Sequence, residues 1–476
     1  MNNERTDYLE EPAAADDIGE LRRQLDELRD RHQKLEVRVA EYQDLLNRNP
    51  ATGLPIRRLF DAELGQALSG VPSRGRGRVL AIGLLRLDGD YARIKNSRDR
   101  NRVLLYKTAD RIREIVGDNI YQSDRLDEFL LIFRDMPNTD GVELRADQIV
   151  EAVSRFHEAP ADDIRFGCYL GISVYPYHGK TREELLGNAD IALIESERNG
   201  TPFVLYGDEM GVRYREREYI ETELKLAIQS GFEGLDLHYQ PLVDGDGRIR
   251  GAEALIRWDH SGLGRISPSR FIPVAEEIGA VRFIGQWSLY RACRQLKQWH
   301  AAGLDDLYVS VNLSPSQFKQ VDLVERIGGV IESVGLPGRC LTLELTETTV
   351  MEEPEEAIAK MKDLQSMGLR LALDDFGTGY SSLSYLRRFE FDTLKIDRSF
   401  ITNVDMNPHD QEIVRAMVAM ARAFGMQTLA EGVERREELE FLMENGCDLV
   451  QGFLYSPAVA HGEFLALAES GVSGAS

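Results

Sequence analysis

This chain is short of positive charge. Lys and Arg number 57 against 80 Asp and Glu, a formal net charge of -23 over 476 residues. That deficit argues against a surface that coats a DNA or RNA polymer or an anionic membrane, because both need a basic face. Cysteine is scarce as well. The four residues, Cys168, Cys293, Cys340 and Cys447, show no metal-ligand spacing and read as reduced core residues of a cytosolic protein. No apolar run approaches the roughly 20 residues of a membrane helix, and the polar N-terminus does not resemble a signal peptide. A cytoplasmic protein of two or three domains is expected.

What is present concentrates in one run, RLALDDFGTGYSSL, from Arg370. A strand-like apolar segment ends in Asp374 and Asp375, and a loop with Gly377 and Gly379 follows. Adjacent carboxylates repel, so the doublet suggests a shared divalent cation, with glycines that let the loop bend close to a ligand. A capped turn, with Asp as the cap and Gly for its backbone freedom, explains the same run. On these residues alone both readings stand.

Around this run the chain divides by pattern. Residues 1–15 read as a disordered tail. From Ile18 the apolar positions step by three and four through Leu21, Leu25, Leu28, Leu35, Val39, Tyr42 and Leu46, broken by His32. This heptad seam over 16–48 predicts a helix that pairs as a parallel dimeric coiled coil, with His32 setting the register. Residues 49–207 alternate helical and strand patterns, and the charged stretch 208–230 predicts a linker helix.

From 231 to the end, strand-like runs recur in the order LDLHYQP, IRGAEALIRW, YVSVNLS, LTLELTE, LRLALDD, DTLKID, QTLAEG and LVQGFLYS, most of them separated by helical stretches. Eight such runs over about 250 residues predict a (β/α)8 barrel of the α/β class, with its site at the C-terminal strand ends. The second to eighth runs carry Glu253, Asn312, Glu344, Asp374 with Asp375, Lys395, Glu431 and Gln451. Any one of these residues is an ordinary strand end or cap. Together they form an oxygen-rich ring suited to Mg²⁺ or Mn²⁺, and its single lysine suits a phosphate-handling site.

Two resemblances follow. NPATGLPIRRLF, DRLDEFLLIF, GISVYPYHG and NADIALIESERNGT are similar to the landmarks of the GGDEF family, the diguanylate cyclases, which join two GTP molecules on a palm-like α/β domain. This copy departs from the pattern where the chemistry resides. Arg125 and Leu126 replace the naming glycines, and their side chains would fill the space the nucleotide needs. Arg86 or Leu87 stands where a metal-binding Asp is expected, and Glu197 and Thr201 replace triphosphate cations. The product-inhibition motif has no match in Val116 to Asn119. The resemblance therefore implies a folded but inactive cyclase domain, with Asp127 and Glu128 serving as a hairpin end.

EALIRW, FIPVAEEIG, VSVNLS, LELTET, LDDFGTGYSSL, LKIDRSF, AEGVE and QGFLYSP resemble the EAL family, the cyclic di-GMP phosphodiesterases, from about Asp236 to Pro457. The resemblance implies hydrolysis of cyclic di-GMP to linear pGpG with two ions, Mg²⁺ or Mn²⁺. It makes Glu253, Asn312, Glu344 and Asp374 metal ligands, with Asp374 bridging and Asp375 and Glu431 on the second ion. Lys395 would hold the attacking water, and Gln451 would support the site. Arg257 would pair with a phosphate oxygen, Gln240 and Pro241 would contact the nucleotide, and Glu347 would anchor the Gly377–Gly379 loop. A homodimer through the coiled coil and the EAL domain is expected. A non-hydrolysing receptor that signals through the coiled coil is the alternative.

Overall fold

The computed structural model describes residues 24–25, 27–36, 38–39, 46–70, 79–89, 98–154, 166–377 and 386–470. The expected tail, 1–15, lies outside them, as do Ile18, Leu21, Tyr42 and Gly379. The described positions of the N-terminal seam are helical, and Leu25, Leu28, Leu35 and Val39 are each at least half exposed. His32 Nε2 lies 3.3 Å from Glu36 one turn on. The chain forms two compact units, 1–215 and 216–476, and the helix Asp208–Gln229 runs across that boundary.

In the first unit, β1 (Val79–Gly89), β2 (Ile120–Gln122), β3 (Glu128–Met136), β4 (Phe166–Tyr175) and β5 (Phe203–Leu205) form one sheet in the order β2-β3-β1-β4-β5. β1 is the central strand, antiparallel to β3 and β4. Both of its faces are apolar and buried under the helices Arg57–Gly70, Arg98–Val116, Thr139–Ser154 and Arg182–Asn199. Such two-sided burial explains why VLAIGLLRL reads as a continuous apolar run rather than an alternating one.

In the second unit the strands are β6 (Leu235–Asp244), β7 (Ile249–His260), β8 (Gly264–Ile266), β9 (Tyr308–Asn312), β10 (Leu341–Thr346), β11 (Arg370–Phe376), β12 (Thr393–Ile396), β13 (Gln427–Ala430) and β14 (Leu449–Val450). They pair in the order β6-β14-β13-β12-β11-β10-β9-β7-β8, and a β6–β7 pairing closes the ring. The barrel departs from the expected strand–helix alternation: the short β8 adds a ninth strand antiparallel to β7, and β6 is antiparallel to both β7 and β14. For β6 the cause is the short link VDGDGR. Asp244 Oδ1 accepts from Asp246 N and Arg248 N, each at 2.9 Å, which folds the chain into a hairpin. A parallel crossover needs a dozen or more residues, and this link has too few.

The barrel core packs Trp299 and Phe464 on Tyr239, with ring centroids 4.7 and 6.2 Å away. Because strand side chains alternate, Tyr239 faces the helices and its neighbour Gln240 faces the lumen.

Candidate functional site: a carboxylate ring around one buried lysine

Register brings the ring together. Across the hairpin, Gln240 lies opposite Glu253. Glu344 lies beside Asn312, and Asp374 beside Thr346. Each polar residue follows a buried apolar stretch that fixes its strand, so the carboxylates converge without being chain neighbours. Glu253, Glu344, Asp374, Lys395 and Gln451 are all buried.

Lys395 is at the centre, 1% exposed. Its Nζ lies 2.6 Å from Glu344 Oε2, 2.9 Å from Asp374 Oδ1 and 2.7 Å from Glu431 Oε1, with Glu253 Oε2 at 4.0 Å. Amides support Glu253: Asn312 Nδ2 donates to Oε1 at 2.7 Å and Gln451 Nε2 to Oε2 at 2.6 Å. Gln451 Nε2 also reaches Gln240 Oε1 at 2.9 Å.

The charges do not balance. Burial works against the Lys395 ammonium, but Glu253, Glu344, Glu431 and Asp374 outweigh it and hold its pKa well above the usual lysine value. Burial also opposes the Glu253 carboxylate, yet Lys395 and the two amides keep it charged, with its pKa lowered. For Glu344, burial and the Glu253 charge win, and its pKa is raised well above normal. Burial pushes Glu431 up to about 7 against the pull of Lys395. One ammonium is thus shared among four carboxylates, which leaves an excess of negative charge in the ring.

A divalent cation would supply the missing charge, and the donor set fits one. Asp374, Asp375 and Glu431 can each present an oxygen within 4.8 Å of the others. Glu344 Oε1 is buried without a hydrogen-bond partner among the described residues. A buried acceptor left unmade is costly unless a cation or water takes it. Asp375 adds strain: its φ is 53°, the left-handed region that Asp tolerates better than bulky residues but seldom adopts. There the strand registry shifts, between Leu373 and Phe376, and Asp375 is exposed at the strand end.

The remaining expected residues divide. Arg257 is half-buried, donates to Ile256 O at 2.9 Å and has no carboxylate ion pair among the described residues. A desolvated guanidinium without a counter-ion is suited to an anionic ligand. Pro241 is buried on the helix-facing side of β6, opposite in direction to Gln240, so it does not join the ring. Glu347 begins the helix Glu347–Met351, and its Oε2 is buried without a partner among the described residues. Its expected contact, the loop through Gly379, lies outside those residues. One rim carboxylate escaped the sequence reading. Asp397 follows β12 and raises the Asp375 pKa, after burial and Asp374. It also accepts from Ser399 N at 3.0 Å, so in sequence it reads as an ordinary helix cap.

In the first unit one of the two positions expected for a metal-binding Asp, Arg86 or Leu87, holds a cation. Arg86 donates to Glu197 at 2.8 and 2.9 Å and to Glu128 at 3.2 and 2.8 Å. Ser123 Oγ donates to the other Glu128 oxygen at 2.6 Å. Arg125 and Leu126 lie at the exposed hairpin end, where Arg125 pairs with Asp127.

Comparisons with known proteins agree with both units. The EAL domain family matches residues 222–458, and the "Diguanylate cyclase, GGDEF domain" family matches 47–202. "Cyclic di-GMP phosphodiesterase NbdA" of Pseudomonas aeruginosa is 36% identical over 423 residues, covering 87% of this chain and 53% of that protein. "Bifunctional diguanylate cyclase/cyclic di-GMP phosphodiesterase MucR" of the same organism is 35% identical over 414 residues, 85% of this chain and 59% of its own length. The chain thus spans little more than half of these curated relatives. A solved structure described as "PaMucR Phosphodiesterase, c-di-GMP complex" is 38% identical, with a TM-score of 0.50, covering 52% of this chain and 99% of that one. The chain belongs to the EAL family, with a GGDEF domain ahead of its EAL barrel.

Proposed function

We propose that the barrel hydrolyses one phosphodiester bond of cyclic di-GMP to give linear pGpG. The observation that carries this reading is the excess of buried carboxylate around Lys395, a ring whose charge demand suits divalent cations beside a phosphodiester. Kinship to phosphodiesterases supports the substrate.

Glu253, Asn312, Glu344 and Asp374 would hold one ion, Mg²⁺ or Mn²⁺, and Asp374, Asp375 and Glu431 a second. Bound there, such ions lower the pKa of water toward neutrality and neutralise charge on the phosphoryl oxygens. Lys395 has its ammonium on Glu344, Asp374 and Glu431; with ions held by those carboxylates, its N–H groups would turn to the attacking water and the phosphate. Arg257 pairs with a phosphate oxygen. Gln451 and Gln240 align Glu253 from behind. The water oxygen forms the new P–O bond, one ester P–O bond breaks, and the released ribose oxygen gains a proton.

The GGDEF unit is proposed to be a folded, inactive cyclase that regulates the barrel. In it, Arg86 neutralises Glu128 and Glu197 internally and takes the cation's place. Pairing of two chains is proposed through the exposed Leu25, Leu28, Leu35 and Val39 stripe, and through the EAL domain. Among the described residues no helix is long and apolar enough to cross a membrane. Four buried, unpaired cysteines support a reducing compartment, and we assign the cytoplasm.

The test is incubation of the purified chain with cyclic di-GMP and Mn²⁺ or Mg²⁺, with product separation. Formation of pGpG supports the enzyme. Tight binding without turnover assigns a receptor instead.

A further inference from the structure

The segment that carries Glu431 is secured along one side by backbone. Glu431 N donates to Ile396 O and Val433 N to Gln451 O, each at 3.1 Å, and Leu454 N donates to Val433 O at 3.0 Å. The approach is so close at Gly452 that a Cβ there would lie 2.0 Å from Val433 O.

Its other side is held by Glu438, 2% exposed, in the helix Arg436–Glu444. Glu438 Oε2 accepts from Glu434 N at 3.0 Å and Arg435 N at 3.1 Å, an ordinary N-terminal cap. A cap needs no more than that. The second oxygen, Oε1, leaves the helix and accepts from Asn403 N at 2.9 Å, in the segment after β12. Asn403 has a φ of 59°, a left-handed turn that presents its N–H to Glu438. Arg435 completes the tie: its Nε donates to Oε1 at 3.3 Å and its Nη2 pairs with Asp405. Burial opposes the Glu438 charge, but the backbone donors at Glu434, Asn403 and Arg435 outweigh it and keep the carboxyl below the usual range. One charged, buried carboxylate therefore joins the segment leaving Lys395 to the segment leaving Glu431.

We propose that Glu438 is a positioning residue, which fixes the Glu431 carboxylate against Lys395 by clamping the segments that leave β12 and β13. It touches neither substrate nor reacting atoms and acts through Glu431. The proposal rests on the reading of Glu431 as a metal ligand.

The test uses the full chain and Mn²⁺ alone, titrated by electron paramagnetic resonance without substrate, beside melting curves and steady-state hydrolysis. Glu438→Gln is expected to weaken Mn²⁺ binding and lower kcat by about tenfold, the range for partners that orient metal ligands, with KM for cyclic di-GMP unchanged. Lowered thermal stability with unaltered Mn²⁺ affinity would reduce Glu438 to a cap and overturn the proposal. Should Glu438→Gln fail to fold, Asn403→Val decides: it leaves the cap intact but resists the left-handed backbone. Weaker Mn²⁺ binding in that variant upholds the clamp, and unchanged binding overturns it. Glu431→Gln separates the two levels. If it leaves Mn²⁺ binding and turnover intact, the ligand reading itself fails. If it impairs both while the Glu438 and Asn403 variants impair neither, the clamp alone fails.

Discussion

Lys395 Nζ lies 2.6 Å from Glu344 Oε2, and both side chains are almost wholly enclosed. An ion pair so deep is seldom a net gain over apolar packing, but removing one partner strands the other. Lys395→Met is therefore expected to lower the barrel's metal-free unfolding free energy by roughly 3–5 kcal/mol. Excess Mn²⁺ should recover part of that loss, since the same carboxylates then face a cation. Denaturant titration with chelator and with Mn²⁺ measures both. An equal loss in the two conditions contradicts a shared cation site.

Asp375 combines a left-handed φ of 53° with a carboxyl that burial, Asp374 and Asp397 all push upward. Backbone strain and like charge of this kind are expected to be kept for function. Asp375→Asn tolerates the backbone and removes the like charge. It should raise metal-free stability by about 1 kcal/mol while turnover falls at least tenfold. Melting curves and initial rates check the pair of effects, and a stabilised variant with full turnover would remove Asp375 from the site.

Arg86 makes four hydrogen bonds to Glu128 and Glu197. Arg86→Ala leaves the buried Glu128 carboxylate without its counter-charge, held by Ser123 at one oxygen, so the GGDEF unit should lose roughly 1–3 kcal/mol. Faster hydrogen exchange at the β1 and β3 amides would register it. The native chain should make no dinucleotide from GTP and Mg²⁺, and any such product counts against the internal cation as a replacement for the metal.

Much of this was legible in sequence because each ring residue ends its own apolar run. LTLELTE and LRLALDD announce Glu344 and Asp374 through strand period and polarity alone. The hairpin was not legible as such, since LDLHYQP looks like any buried strand until VDGDGR is seen to be too short for a crossover. Nor was the direction of Pro241, which follows from which face of β6 packs on Trp299. Asp397 was hidden by its capping role. Glu438 was hidden because its second oxygen reaches Asn403, 35 residues away. Arg86 stands out in sequence as a departure from the GGDEF pattern, but its ties to Glu128 and Glu197 depend on register between separate elements.

We propose that the ring around Lys395 is a divalent-metal site that cuts cyclic di-GMP. The most direct measurement is product formation from cyclic di-GMP by the native chain and by Glu253→Ala, each with Mn²⁺ and with chelator. The expected result is pGpG from the native chain with Mn²⁺ and none from the other three reactions. Turnover that survives chelation, or native turnover in Glu253→Ala, would contradict the account.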